Sequence, residues 1–265
     1  MDLEPRELFD LAGKVAVVTG GSRGLGRSIA DGLAQAGADV VIASRKLDNC
    51  ERAVAEIEAS TGRRGLAVAC HVGKWEDCDR LVDQVVACFG RVDVLVNNAG
   101  MSPLYPSLLE LSEELFDKTV DVNFKGPFRL ACVAAERMMA DGGGSIVNIS
   151  SIGSLGRGGG RGGGGGRAAI ALPYACAKAA LNVMTTGMAQ AYAPTVRVNA
   201  VLAGSFWTDA AKHWPPGMVD EDNIPLRRVA HPREMVGTVT YLASNASSYT
   251  TGALLRVDGG VAGGV

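Results

Sequence analysis

The chain has 265 residues, 47% of them hydrophobic and 20% charged, with a formal net charge of −2; this is the composition of a globular protein with one large core, not of a disordered chain. The charge balance gives no reason for a nucleic-acid or anionic-membrane partner. No apolar run approaches the roughly 18 residues of a membrane span, and the acidic start Met1-Asp2-Leu3-Glu4 is unlike a signal peptide. A cytoplasmic protein with a small-molecule partner is expected. Its six scattered cysteines (Cys50, Cys70, Cys78, Cys88, Cys132, Cys176) read as free, mostly buried thiols, with neither a disulfide framework nor a metal site.

Short runs rich in valine and isoleucine predict strands at 15–19, 40–44, 66–70, 92–96, 145–149, 196–201 and 253–257. Most are apolar on both faces, as in a sheet covered on each side. Helical periodicity predicts helices over 25–36, 47–60, 76–89, 112–139 with room for a break, 174–193 and 232–243, and Gly37 and Gly90 stand where helices stop. The alternation implies one α/β domain over residues 1–265, with a doubly wound, seven-stranded parallel sheet flanked by helices.

The segment Thr19-Gly20-Gly21-Ser22-Arg23-Gly24-Leu25-Gly26 follows the first strand and opens the first helix. Glycines there allow a sharp turn and the close approach of a pyrophosphate to a helix N-terminus, although taken alone the segment also fits a plain strand-to-helix turn. The second strand ends Ala43-Ser44-Arg45-Lys46, with no carboxylate for a ribose 2′-hydroxyl. Arg45 and Arg23 could bracket a 2′-phosphate, so NADP(H) is preferred over NAD(H); solvated surface charges are the alternative. Tyr174 and Lys178 stand four residues apart on one face of the helix that Pro173 begins, so a phenol and an ammonium can meet.

The spacing Gly20-x-x-x-Gly24-x-Gly26 resembles the glycine motif of the short-chain dehydrogenase/reductase family. Asn97-Asn98-Ala99-Gly100 resembles its N-N-A-G segment, Tyr174-Ala175-Cys176-Ala177-Lys178 its Y-x-x-x-K, and Val257-Asp258-Gly259-Gly260 its C-terminal close. The resemblance runs from Leu11 to Gly260. It implies a Rossmann-type fold, and a nucleotide held by Gly20, Ser22, Arg23, Gly24, Leu25, Gly26, Arg45, Val72, Asn98, Ala99, Gly100, Tyr174, Lys178, Gly204 and Thr208. It further implies a catalytic set of Asn123, Ser151, Tyr174 and Lys178. Tyr174 would exchange the proton, Ser151 would bind the substrate carbonyl oxygen, Lys178 would hold the nicotinamide ribose and support the phenolate, and Asn123 would organise a water linked to the lysine. Ser150 is set aside.

Three departures stand out. His71, in Cys70-His71-Val72, occupies the family's adenine-side aspartate position, and Ala203 replaces the proline of a P-G pair before Gly204. Twenty-three positions separate Ser151 from Tyr174, a longer interval than the family's, with ten glycines among the fifteen residues 153–167. An insertion near 153–172 is therefore expected, either a passive surface loop or one whose Arg157, Arg161 and Arg167 meet an anionic substrate. A substrate loop is expected near 205–225. The implied activity is reversible NADP(H)-dependent reduction of a ketone to a secondary alcohol by a carbonyl reductase, with 3-oxoacyl thioesters as the first substrate class. The alternatives are a sugar-acid or polyol dehydrogenase of the gluconate 5-dehydrogenase type, from the opening Leu8-Phe9-Asp10-Leu11-Ala12-Gly13-Lys14, and a non-catalytic NADP sensor. Family relatives imply a homotetramer or homodimer.

Overall fold

The computed structural model describes residues 4, 6–156, 171–208, 219 and 221–262. Most of the expected insertion near 153–172, including Arg157, Arg161 and Arg167, and much of the expected substrate loop near 205–225 lie outside the described residues.

Seven parallel strands form one sheet: β1 (Val15–Thr19), β2 (Asp39–Ser44), β3 (Gly65–Ala69), β4 (Val94–Asn97), β5 (Gly144–Ser151), β6 (Val196–Ala203) and β7 (Leu254–Val257), in the spatial order β3-β2-β1-β4-β5-β6-β7. The helices between them are α1 (Gly24–Gln35), α2 (Leu47–Thr61), α3 (Trp75–Phe89), α4 (Glu113–Val120), α5 (Gly126–Ala140), α6 (Leu172–Ala191) and α7 (Val236–Ala243).

Side chains alternate across β1, and the alternation divides the core in two. Val15 and Val17 join a cluster with Leu81 and Val85 of α3, Leu130 and Met138 of α5, and Leu181 and Met188 of α6. Ala16 and Val18 join the opposite cluster with Ile29 and Leu33 of α1, Ile57 of α2, and Val239 and Leu242 of α7. Both faces of the sheet are therefore covered, which is why the strand runs are apolar throughout. Gly37 and Gly90 take φ of +105° and +80° just past α1 and α3, conformations that end a helix and that a β-carbon would strain.

The long fourth helix breaks where a π-helical turn, Asp121–Lys125, joins α4 to α5. Ser112 caps α4 by accepting the Leu115 N–H at 3.2 Å. The wide turn carries Asn123, which is fully buried. Because β1 lies between β2 and β4, the chain winds outward in both directions from this pair, and a crevice forms beyond its carboxyl ends.

Three of the cysteines, Cys50, Cys70 and Cys78, are buried; Cys132 is half-buried, and Cys88 and Cys176 are exposed. All six are free thiols.

Candidate active site

The glycine turn, the end of β2, the Asn97–Gly100 segment, Ser151 and the Tyr174–Lys178 pair each leave the carboxyl edge of a strand or open a helix beside that edge. The β1–α1 turn is joined to the end of β4 through Thr19, whose hydroxyl donates to Val96 O at 3.3 Å and accepts the N–H groups of Asn98 and Ala99, both at 3.0 Å. Asn98 Nδ2 returns a bond to Thr19 O at 2.8 Å. Thr19 has no role of its own in the glycine motif; its signal was a hydroxyl ending an otherwise apolar strand. No side chain caps α1, so Gly20, Ser22, Arg23, Gly24, Leu25 and Gly26 present a helix N-terminus whose first N–H groups can receive an anion. Thr208 reaches the same turn: its Cβ lies 3.6 Å from where a β-carbon would stand on Gly24. Gly204 is fixed behind it, donating its N–H to Val257 O at 2.9 Å.

Ser22 donates its hydroxyl to that of Ser44 at 3.1 Å, which sets the glycine turn against the end of β2. Arg23 and Arg45, each the next residue along, therefore flank one point at the rim. Both are exposed, and among the described residues neither makes an ion pair. Val72 is buried and its carbonyl takes the Cys78 thiol at 3.2 Å. His71 Nδ1 is engaged within its own loop, accepting the Gly73 N–H at 3.2 Å, so only the Nε2 side of the imidazole is left to face outward.

On the other side of β4, Tyr174 and Lys178 share one face of α6, which begins at Leu172, two residues before the expected start. The Tyr174 hydroxyl lies near enough to Ser151 for the serine to draw the phenol's pKa down. Ser151 Oγ also accepts the Gly153 N–H at 3.1 Å, which fixes it at the end of β5. Ser150 faces the helix backbone instead, donating to Lys178 O at 3.3 Å. Lys178 is buried; its ammonium donates to Ile149 O at 2.7 Å and lies 5.8 Å from the Tyr174 ring centroid. The lysine thus sits beneath the ring with a backbone partner rather than against the hydroxyl.

Burial raises the Tyr174 phenol above its ordinary value, opposed by the nearby Ser151 hydroxyl. Burial also lowers the Lys178 ammonium to about 8. In the cofactor-free chain desolvation is the largest influence on both groups.

Asn123 acts through the backbone. Its Nδ2 donates to Met101 O and Thr119 O, both at 2.8 Å, and its Oδ1 accepts the Met101 N–H at 3.2 Å. The Gly100 backbone fills the space between this amide and Lys178: a β-carbon on Gly100 would stand 3.0 Å from Asn123 Oδ1 and 3.7 Å from Lys178 Nζ. Beneath the hydroxyl pair runs a chain of buried amides that the sequence reading did not use. Asn97 Nδ2 donates to Asn148 Oδ1 and Asn148 Nδ2 to Thr185 Oγ1, each at 2.9 Å, bracing β4, β5 and α6 against one another. A polar Asn148 inside an apolar strand was the available signal.

The lysine carries a stability cost with a definite sign. A folded-state value of about 8 against the ordinary 10.5 means that the folded state disfavours the ammonium. The cost is full below about pH 8 and is relieved as pH rises from 8 towards 10.5. Lys178→Met is therefore expected to raise the thermal midpoint of the cofactor-free protein at pH 7 by several degrees, for a gain of about 3 kcal/mol. The advantage should shrink steadily by pH 9.5, short of the range in which the raised Tyr174 phenol ionises. Melting curves at both pH values check this, and an advantage independent of pH would contradict it.

The family model described as Enoyl-(Acyl carrier protein) reductase matches residues 20–262. Human "Dehydrogenase/reductase SDR family member 4" is 37% identical over 255 residues, covering 94% of this chain and 88% of that protein. Among solved structures, the NADPH-dependent 3-quinuclidinone reductase of Rhodotorula rubra superposes with a TM-score of 0.88 at 30% identity, covering 98% of this chain and 96% of its own. A gluconate 5-dehydrogenase of Burkholderia cenocepacia, in complex with NADP and tartrate, gives 0.88 at 29% identity over 99% and 100%. Among the described residues, no helix is long and apolar enough to cross a membrane.

Proposed function

This chain belongs to the short-chain dehydrogenase/reductase family, oxidoreductases acting on CH–OH and C=O groups, and from that premise we propose that it catalyses the reversible, NADP(H)-dependent reduction of a ketone to a secondary alcohol. The observation that carries the reading is the Tyr174–Ser151 hydroxyl pair, with the Lys178 ammonium buried beneath the same turn of α6. The nicotinamide, when bound, gives or takes the hydride. Ser151 offers its hydroxyl to the carbonyl oxygen, stabilising the charge that grows there, and Tyr174 passes its proton to that oxygen as the alcohol forms. Lys178 holds the nicotinamide ribose, and its ammonium stabilises the phenolate that Tyr174 becomes on giving up its proton. Asn123 keeps Gly100 and Met101 in place beside the lysine.

Arg45, with Arg23, is read as the partner of the 2′-phosphate, since each directly follows one of the serines that join the glycine turn to β2, and no carboxylate ends that strand. Arg45→Asp is expected to move the ratio of kcat/KM for NADPH over NADH by about tenfold or more towards NADH, a charge-assisted bond being lost and a ribose acceptor gained. An unchanged ratio would remove Arg45 from the cofactor site.

The substrate is read first as a 3-oxoacyl thioester or a similarly apolar ketone. The exposed Leu104, Leu155, Leu172 and Trp207 stand within a few residues of Gly100, Ser151, Tyr174 and Thr208, apolar side chains that would suit such a substrate. A sugar-acid dehydrogenase is the second reading, favoured by the likeness to the Burkholderia enzyme over nearly the whole chain. Initial rates of NADPH and NADH oxidation with acetoacetyl thioesters, keto-sugar acids and cyclic ketones separate the two. Cofactor binding without turnover on any of them would support a silent sensor instead. Assembly is read as a homotetramer or homodimer, with Phe116, Phe128 and Val183 exposed on α4, α5 and α6.

A further inference from the structure

Ser151 is tied to α6 on both of its flanks. Before it, Ile149 O accepts the Lys178 ammonium at 2.7 Å, and the Ser150 hydroxyl donates to Lys178 O at 3.3 Å. After it comes one 3-10 turn, Ile152–Leu155. The Ser154 hydroxyl in that turn donates to Ser151 O, and its oxygen accepts Asn182 Nδ2 at 2.8 Å. Asn182 stands one helical turn past Lys178 and two past Tyr174, on the same face of α6.

The direction of each bond matters. Nδ2 can only donate, so the Ser154 oxygen is used as an acceptor and its proton is left for Ser151 O. In the same turn the Gly153 N–H donates to Ser151 Oγ at 3.1 Å, which leaves the Ser151 proton to be offered to a carbonyl oxygen. Accepting that bond also makes the hydroxyl a better donor. The placement of the turn therefore decides where the Ser151 proton points. Chain connectivity does little to set that placement against Tyr174, since twenty-three positions separate the two residues. Asn182 is 8% exposed, and its Oδ1 is buried with no hydrogen-bond partner among the described residues. An unanswered buried carbonyl costs the fold stability, and a leucine would fill the same space without it. Stability alone does not account for an asparagine here.

We propose that Asn182 and Ser154 are positioning residues: together they tie the turn after Ser151 to the helix that carries Tyr174 and Lys178, and so aim the Ser151 hydroxyl at the reacting carbonyl. This rests on the reading of Ser151 as the group that binds the carbonyl oxygen. Misplacing such a group by an ångström can cost a large factor in rate without weakening binding.

Asn182→Leu, Ser154→Ala and the double variant test this, with whichever acetoacetyl thioester, keto-sugar acid or cyclic ketone the wild type reduces fastest. In each variant the Gly153 amide should exchange with solvent about fivefold faster, the size expected for one lost hydrogen bond, while amides of the β1–α1 turn are unchanged. In each, kcat should fall about fivefold or more, with NADPH affinity and the substrate KM within about twofold of wild type. The double variant should lose no more than the worse single one, because both side chains act through one chain of bonds. Ser154→Thr, which keeps the hydroxyl, should hold kcat within about twofold. Asn182→Leu should melt within a few degrees of wild type, so that a fall in kcat is not a loss of fold. Unchanged exchange at Gly153 overturns the proposal. So does a loss confined to KM, which would make Asn182 a pocket wall, and so do losses that add in the double variant. If Ser151→Ala retains full turnover, the catalytic reading fails instead, and the exchange effect at Gly153 would still stand.

Discussion

Tyr174→Phe is expected to lower kcat by about a thousandfold while leaving NADPH affinity within about twofold, because general acid–base catalysis by one placed group contributes 10²–10⁴. The substitution keeps the ring over Lys178 and removes only the hydroxyl that faces Ser151. Burial holds the phenol above its ordinary value, so in the free enzyme it carries its proton throughout the neutral range and is set to donate to a reduced carbonyl oxygen. Single-turnover oxidation of bound NADPH, read beside a direct binding titration, separates the chemical step from affinity. A variant that binds NADPH and turns over within tenfold of wild type would remove Tyr174 from the proton path. Ser151→Ala should cost less than Tyr174→Phe, since the phenol still reaches the oxygen and only one of two hydroxyls is lost.

The strands and the first three helices were legible because their signal is local. β1 covers the expected 15–19, since its apolar run is bounded by Lys14 and Gly20, and α3 starts within one residue of the expected position. The break in the fourth helix was legible only as a break. Its widening into a π-turn at Asp121–Lys125 depends on partners far along the chain: Asn123 reaches back to Met101, and Gly126 lies against the Val72 carbonyl so closely that no side chain fits. Periodicity cannot report such contacts.

The same distinction runs through the site. The glycine turn and the Tyr174–Lys178 pair are short motifs that a family likeness can carry. Asn148, Thr185 and Thr19 matter through partners tens of positions away, 51 for Asn97 with Asn148 and 37 for Asn148 with Thr185. A single Asn or Thr in a strand or helix has no pattern that announces its partner. His71 shows the converse. A side chain at a family binding position was readable from the sequence, but the Gly73 N–H that occupies its Nδ1 is a feature of the folded loop.

The glycine turn itself supports the second large effect. Gly24 and Gly26 look equivalent in the motif, yet the fold uses them differently. Gly24 has φ of +57°, and the nearest atom to an added β-carbon is Thr208 Cβ at 3.6 Å, an ordinary contact. Gly24→Ala should therefore cost the left-handed backbone alone, about 1–2 kcal/mol, or a fall of roughly 3–8 °C in the midpoint of the cofactor-free protein. A β-carbon on Gly26 would overlap both the Gly20 carbonyl oxygen and Asn98 Nδ2. Neither can yield cheaply, since one is backbone in the turn and the other is the amide that joins β4 to Thr19 at 2.8 Å. Alanine's advantage over glycine inside a helix, about 1 kcal/mol, acts the other way. Relieving the overlap means breaking the β1–β4 joint and leaving a half-buried amide without its partner, so the clash wins. Gly26→Ala is expected to lower the midpoint of the cofactor-free protein by more than 10 °C, for a loss of about 4 kcal/mol or more, and to abolish NADPH binding. Melting both variants without cofactor and then titrating each with NADPH gives the comparison. Gly26→Ala melting within a few degrees of wild type, or no less stable than Gly24→Ala, would mean that the close approach of Gly20 and Asn98 is not what holds the turn in shape.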